Sequence, residues 1–284
     1  MAYSSFTDLL DAAAGHRSLA AAAVALESVE TGRSEESVRE RMHATLAVMR
    51  SAVANGRSGS NRSRSGLTGS AAAQLAAADP STVGSTFSDV LASALAVAEV
   101  NAAMGRVVAA PTGGASGVLP GVLLTLAERA GADDEALVDS LFTAAAIGGV
   151  IAARASLSGA AGGCQAEIGS AAAMAAAAGV EMLGGTPEAS GHGAALALQG
   201  LLGLVCDPVG GLVEVPCVVR NATGAAVALA GIEMALAGIE FPIPFDEVVD
   251  AMGSVGRSLP PSLRETAIGG LAGTPTARSL NLED

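Results

Sequence analysis

Three cysteines are the residues of this chain best suited to holding a soft metal: Cys164, Cys206 and Cys217, in the spacing C-x41-C-x10-C. Cys164 follows a Gly-Gly pair at a predicted helix start. Cys206 ends an apolar run stopped by Asp207-Pro208, and Cys217 follows Pro216 ahead of another helical run. Cysteines at element ends, flanked by glycine, can converge on one object without steric conflict. Near helix N-termini, Cys164 and Cys217 would also gain from the positive end of the helix dipole, as would an anionic iron–sulfur cluster. Four cysteines would saturate a [4Fe–4S] cluster, whereas three leave one iron open to act as a Lewis acid on a substrate oxygen. Zinc fits less well, because no C-x2-4-C pair or neighbouring histidine completes a tetrahedral set. Buried free cysteine is also a common small hydrophobe. The residues alone leave the metal site and the inert core both open.

Other polar residues stand in the same apolar surroundings. Glu99–Gly121 reads EVNAAMGRVVAAPTGGASGVLPG, the end of a helix and then an extended, glycine-rich turn. Such a turn can direct backbone N–H groups at an anion such as a carboxylate, or simply let helices approach closely. Thr112, Gly113, Gly114 and Ser116 are the candidates there. Arg220 and Asn221 follow the third cysteine by three and four positions, and on a helix can face the same side. Glu167, Glu214 and Arg264 read equally as site residues or as structural ion pairs and caps, and Ser156 and Ser158 as turn residues.

The elements that must position these residues read as helices throughout. A short helix is expected over residues 4–14, and a long one over 17–54 with Arg and Glu on one face and Leu, Val and Met on the other. Charge pairs such as Glu36 with Arg39, and Glu40 with Arg39 and Arg41, suit its solvated face. Residues 55–70 are Gly/Ser/Arg-rich, a flexible loop in their first half near 55–65. Helices follow over 70–78, closed by Asp79-Pro80, and over Thr86–Met104. Further helices are expected over Asp133–Ala153, Gln165–Leu183, Ala194–Val205, Val218–Leu236 and Asp246–Gly256. His16 and His43 read as surface residues, and His192 as a loop histidine, not a ligand. Only Leu212–Val215 hints at a strand. The expectation is an all-α, compact helical domain rich in small residues, one domain over 1–284, with Gly-rich loops around the cysteines.

Composition excludes several classes. All fifteen basic residues are arginine, so neither a pyridoxal-phosphate Schiff base nor a Walker A lysine can come from this chain. A net charge of −13 argues against nucleic acid. Unpaired cysteines without a signal segment point to the cytoplasm. Mean hydropathy is +0.49. The longest charge-free run, Val107–Ala127, nevertheless contains Pro111, Gly113, Gly114, Gly117, Pro120 and Gly121, and no membrane span is expected.

Several blocks in order resemble one family: EVNAAMG, PTGGASGVLPG, SLSGAAGGCQAE, LGLVCDPVGGLVEVPC, RNA and RETAIGGLAGTPT. They are similar to the signature blocks of iron–sulfur-dependent L-serine dehydratases, specifically the separate α subunit. Leu157 stands where that family carries isoleucine. The resemblance covers nearly the whole chain, and SGLTG (Ser65–Gly69) belongs to it. It implies an L-serine ammonia-lyase whose [4Fe–4S] cluster is held by Cys164, Cys206 and Cys217, with one iron open. It also implies a substrate-binding role for Thr112, Gly113, Gly114 and Ser116; Arg220 and Asn221, which on a helix can face the cluster side and meet a carboxylate, are the other substrate-binding candidates. The block SSHTxGPM, associated with the family's β part, is missing, so a separate β subunit is expected. Some members carry a further cysteine near the C-terminus, where this chain reads NLED. The rival readings are a related iron–sulfur hydro-lyase acting on another small hydroxy acid, and a non-catalytic helical scaffold with buried cysteines.

Overall fold

The computed structural model describes residues 3–16, 18–79, 82–280 and 282. Among these residues the fold is all-α. Thirteen α-helices are joined by one π-turn and three short 3-10 turns, and the only strand-like pairing is an isolated bridge between Cys206 and Arg264. The helices are α1 (Phe6–His16), α2 (Leu19–Thr31), α3 (Glu35–Arg57), α4 (Ala71–Ala77), α5 (Ser85–Ala102), α6 (Val118–Ala130) and α7 (Asp134–Arg154). They continue with α8 (Gly159–Gly162), α9 (Ser170–Met182), α10 (Pro187–Gln199), α11 (Cys217–Leu236), α12 (Phe245–Ser258) and α13 (Pro275–Ser279).

Helix α9 is the axis of the core. Every residue from Ser170 to Val180 is buried, and the run is almost wholly alanine. Alanine is the best helix former, and its short side chain lets neighbours approach on every side. α7, α10, α11 and α6 pack around it. The approach is close enough that a Cβ on Gly231 of α11 would lie 2.8 Å from the Gly193 carbonyl of α10. Small residues thus fill most of the interior of a chain that has few large aromatics.

The first long helical stretch is two helices. Gly32, at φ 66°, terminates α2 in the left-handed conformation, and the Ser34 side chain accepts from the Ser37 amide to start α3. Arg39 turns away from the acidic residues of its own helix to Glu135 (2.6 Å) and Asp139 (2.7 Å) on α7. With Arg50–Asp134, these pairs fasten α3 to α7. α3 runs on to Arg57. Beyond it the irregular segment is cross-tied, with Asn61 donating to the Asn55 carbonyl (2.9 Å) and the Ser63 amide to the Thr68 carbonyl (3.2 Å). Pro80, expected to close α4 with Asp79, and Asn281, Glu283 and Asp284 of the final NLED lie outside the described residues.

Four other expectations change. The extended turn ends at Gly117, and Pro120 and Gly121 lie in the first turn of α6, where a proline N–H has no helical partner to lose. α10 starts at Pro187, capped by Thr186, and ends at Gln199; His192 is therefore helical, its Nδ1 accepting from the Phe241 amide (3.2 Å). Its neighbour Gly191 belongs there because a Cβ would strike the Phe6 ring at 2.2 Å. Gln165–Gly169 form a π-turn ahead of α9. Leu212–Val215 forms no strand. Helix α7 is long and apolar enough to cross a membrane by length and composition. However, 67% of its most apolar window is buried in the fold, as in a core helix.

Candidate metal centre

The three cysteines are brought to one end of the helix assembly, all buried and all free. Cys164 sits between α8 and the π-turn. Cys206 lies on the extended segment after α10, and Cys217 opens α11. One residue does much of the joining. The Gln165 side chain, fully buried, donates to the carbonyls of Gly162 (2.8 Å) and Met252 (3.1 Å) and accepts from the Gly203 amide (2.9 Å). Its own amide donates to the Leu204 carbonyl (3.0 Å). It thereby pins the Cys164 turn to the segment that carries Cys206 and to α12. Sequence reading missed it, because its partners are distant in the chain and carry no motif.

Cys206 is fixed from its other side. Its amide donates to the Leu263 carbonyl (2.9 Å) and its carbonyl accepts from the Glu265 amide (2.7 Å), so the RETAIGG block closes over it. Glu265 and Ala267 hold left-handed φ angles of 61° and 56°. Strain at two side-chain-bearing residues is kept where the surroundings over-determine it, as beside functional sites.

Glu167 joins the cysteines. One of its carboxylate oxygens and the sulfurs of Cys164 and Cys206 lie within 4.8 Å of one another. Its position owes to the π-turn, whose wider winding re-aims side chains and recurs at functional sites. The signal for Glu167 in the sequence was only its three-residue spacing from Cys164. Gly159 leaves the room: a Cβ there would sit 2.6 Å from the Glu167 Oε2 and 3.0 Å from the Cys206 Sγ.

Arg220 reaches across from α11 to Cys164 Sγ (3.6 Å), the Val205 carbonyl (2.9 Å) and the buried Asp207 carboxylate (2.8 Å). The Cys206 thiol, hydrogen-bonded to Cys164, lowers the Cys164 pKa; Arg220 helps, against burial and the Glu167 charge. Cys206 itself, as the donor, is pushed well up. Burial pushes Cys217 up to about 12, with the charges of Cys164 and Glu167 adding to it. Burial also raises Glu167, while the Thr112 hydroxyl pulls it back and the Glu265 charge pushes it further.

The predicted anion-binding turn lies against this group. Gly114 sits 3.6 Å, measured from where its Cβ would be, from the Glu167 Oε1, and the hydroxyls of Thr112 and Ser116 are buried without a hydrogen-bond partner of ordinary geometry. Asn221 holds the turn in place. Its Oδ1 accepts from the Gly117 amide (2.9 Å), and its Nδ2 donates to the carbonyls of Gly114 (2.8 Å) and Cys217 (2.9 Å). Both ends of that side chain are thus occupied by backbone. Gly113 faces Asn101 on α5. Behind the turn, Glu214 accepts from the Ser65 amide (3.1 Å) and hydroxyl, which ties the SGLTG segment to the approach to Cys217. Ser156 caps the following turn by accepting from the Ser158 amide (3.1 Å).

The residues suit an iron–sulfur centre: three buried soft donors from three separate elements, an arginine beside them to offset cluster charge, and a glycine where any side chain would fill the space. None of the three histidines joins them. His43 pairs with Glu135 (2.8 Å), His192 is engaged with Phe241, and His16 ends α1.

Comparison with known proteins identifies the family of the chain. The chain is 51% identical over 260 residues to the probable L-serine dehydratase alpha chain of Bacillus subtilis, covering 90% of this chain and 86% of that one. It is 44% identical to the L-serine dehydratase alpha chain of Peptoniphilus asaccharolyticus, covering 87% and 85%. It is 48% identical over 184 residues to the L-serine dehydratase of Mycobacterium tuberculosis, covering 63% of this chain but 40% of that longer protein. The serine dehydratase alpha chain family matches residues 16–272, and the chain belongs to it.

Proposed function

We propose that the chain is the α subunit of an L-serine ammonia-lyase, which dehydrates and deaminates L-serine to pyruvate and ammonia. The observation that carries this reading is the convergence of Cys164, Cys206 and Glu167 beside Arg220, in a chain that matches alpha chains over most of its length. Cys164, Cys206 and Cys217 would hold a [4Fe–4S] cluster, with one iron left without a cysteine. When bound, that cluster supplies Lewis acidity to a hydroxyl that otherwise leaves badly and to a weakly acidic Cα–H.

The chain's own residues then divide the remaining work. Thr112 and Ser116 offer two hydroxyls without partners, and Gly113 and Gly114 let the backbone come close, so this turn receives the substrate carboxylate. Asn221 keeps the turn at a fixed distance from the Cys217 end of α11. Arg220 is held by Asp207 and stays beside Cys164, where its charge offsets that of the thiolates. The closed segment Leu263–Glu265 keeps water away from Cys206.

A β subunit is the expected partner. The longer Mycobacterium tuberculosis relative extends well past the part this chain matches, while the Bacillus and Peptoniphilus relatives are named as alpha chains. Buried free thiols belong in a reducing compartment, and the cytoplasm is the proposed location. The test is iron and acid-labile sulfide per chain after strictly anaerobic purification, followed by pyruvate release from L-serine with the β partner added. About four of each per chain is the expected result. No iron after anaerobic reconstitution overturns the reading.

A further inference from the structure

We propose that the Glu167 carboxylate is the protein ligand of the cluster iron that no cysteine holds, and that it yields that iron to the substrate's oxygen. The proposal rests on the cofactor reading above. It begins from position: a Glu167 oxygen lies with the Cys164 and Cys206 sulfurs inside a 4.8 Å set, on the turn that carries Cys164.

The second observation is what Glu167 lacks. The other carboxylates withdrawn from water in this fold each accept a backbone amide: Glu99 from Ala71 (2.6 Å), Glu181 from Leu19 (2.7 Å), Glu214 from Ser65 (3.1 Å). Glu167 has none. Among the described residues no arginine or histidine pairs with it, since Arg220 is taken by Asp207. Its nearest donors are the Cys206 thiol at 4.0 Å and the Thr112 hydroxyl, which makes no hydrogen bond of ordinary geometry. Glu167 is partly buried and, beside these, is the carboxylate with the weakest set of donors, the one that a cation would complete. The bareness of Gly159 leaves the Glu167 Oε2 where it is, because a methyl group there would lie 2.6 Å from it and push it aside.

Oxygen is the right donor for an exchangeable position. A fourth thiolate would hold iron firmly, whereas a carboxylate oxygen is a weaker partner for it and is more readily replaced by another oxygen ligand. In that exchange one iron–oxygen bond to Glu167 breaks and one to the substrate forms. No electron moves, and the Glu167 carboxylate is released as the anion it was.

The experiment compares wild type, Glu167→Gln and Glu167→Asp, each full-length and reconstituted anaerobically with 57Fe. Mössbauer spectra are recorded with and without L-serine, and the three-iron electron paramagnetic resonance signal is followed after brief exposure to air. Without substrate, one iron of the wild type should differ from the other three, and Glu167→Gln should shift that component alone. The Gln variant should also lose its unique iron about tenfold faster in air. With L-serine present, the two spectra should converge. A Gln spectrum identical to wild type without substrate overturns the proposal while leaving the cluster in place. Absence of acid-labile sulfide from the wild type overturns the cofactor reading along with it. If the Gln variant takes up no iron, the Asp variant is read by the same criterion: a shifted unique iron supports ligation and an unshifted one overturns it.

Discussion

The α9 core and the cysteine end of the molecule are built from the same small residues to opposite ends. From Ser170 to Val180 the chain is buried on all sides, and its one polar side chain is a serine. At the cysteine end, two hydroxyls lack partners of ordinary geometry, a carboxylate has no counter-charge among the described residues, and two non-glycine residues sit in the left-handed region. Glycine in the core closes gaps between helices; at the cysteine end it holds a space open. Unsatisfied polarity is denser at the cysteine end, where Thr112, Ser116, Asp207 and Arg264 each leave a buried atom without a hydrogen-bond partner of ordinary geometry, while the core run has the Ser170 hydroxyl at its start.

The sharpest way to break that comparison is Cys206→Ser. Activity should fall by several kcal/mol of transition-state stabilisation, about a thousandfold, with iron content falling alongside. Far-UV circular dichroism should stay unchanged, because the helical core does not depend on the thiol. Equal loss of helix would place Cys206 in the core instead. Next in size is Arg220→Met. It strands the Asp207 carboxylate, whose side chain is 3% exposed, and should cost about 3–5 kcal/mol in denaturant unfolding of the metal-free protein.

The same substitution made in both regions sharpens the contrast further. Gly231→Ala places a Cβ 2.8 Å from a carbonyl and should cost about 1–3 kcal/mol in thermal unfolding, with iron content kept. Gly159→Ala should instead lower iron occupancy about tenfold, with a small change in unfolding midpoint. The smallest effect concerns pH. Burial raises the Glu181 pKa above its ordinary 4.5, against the hydrogen bonds from Thr143 and Leu19. The stabilisation it gives when protonated is complete below 4.5 and is lost as pH rises through the higher folded value. Wild type should therefore be less stable at pH 7.5 than at pH 5, and Glu181→Gln should flatten part of that fall. Glu99 and Glu167, also raised by burial, account for the remainder.

Much of this was legible in the chain itself. Cys164 and Cys217 read as helix starts and lie at them, whereas Cys206, read as closing a helix, lies in the extended segment beyond α10. The helical class and the small-residue packing followed from composition and periodicity. Local signals were sometimes present and outweighed: Thr31-Gly32 and Ser34 mark the α2–α3 break, yet the amphipathic pattern runs straight through it. Likewise Thr186-Pro187 opens α10, while the glycines flanking His192 suggest a loop until Phe6 is seen to need the bareness of Gly191, and Val180 that of Gly193. What could not be read is long-range. No local pattern tells that Gln165 will meet Gly203 and Met252, or that a π-turn will swing Glu167 toward Cys206.

The pairing of Cys206 with Leu263 and Glu265 has a consequence in time as well as in space. Chains are made from the N-terminus, and earlier segments fold first. Cys164, Cys206 and Cys217 have all been synthesised, with the helices between them, before the residues that cover Cys206 exist. While the ribosome works through α12, the side of the site that Leu263–Glu265 later closes stands open to whatever delivers iron and sulfide. Once Glu265 docks, that entrance is shut by backbone hydrogen bonds. On the proposed cofactor reading, loading a finished chain would require this segment to lift first, so in-vitro reconstitution would run against a closure that the growing chain has yet to make.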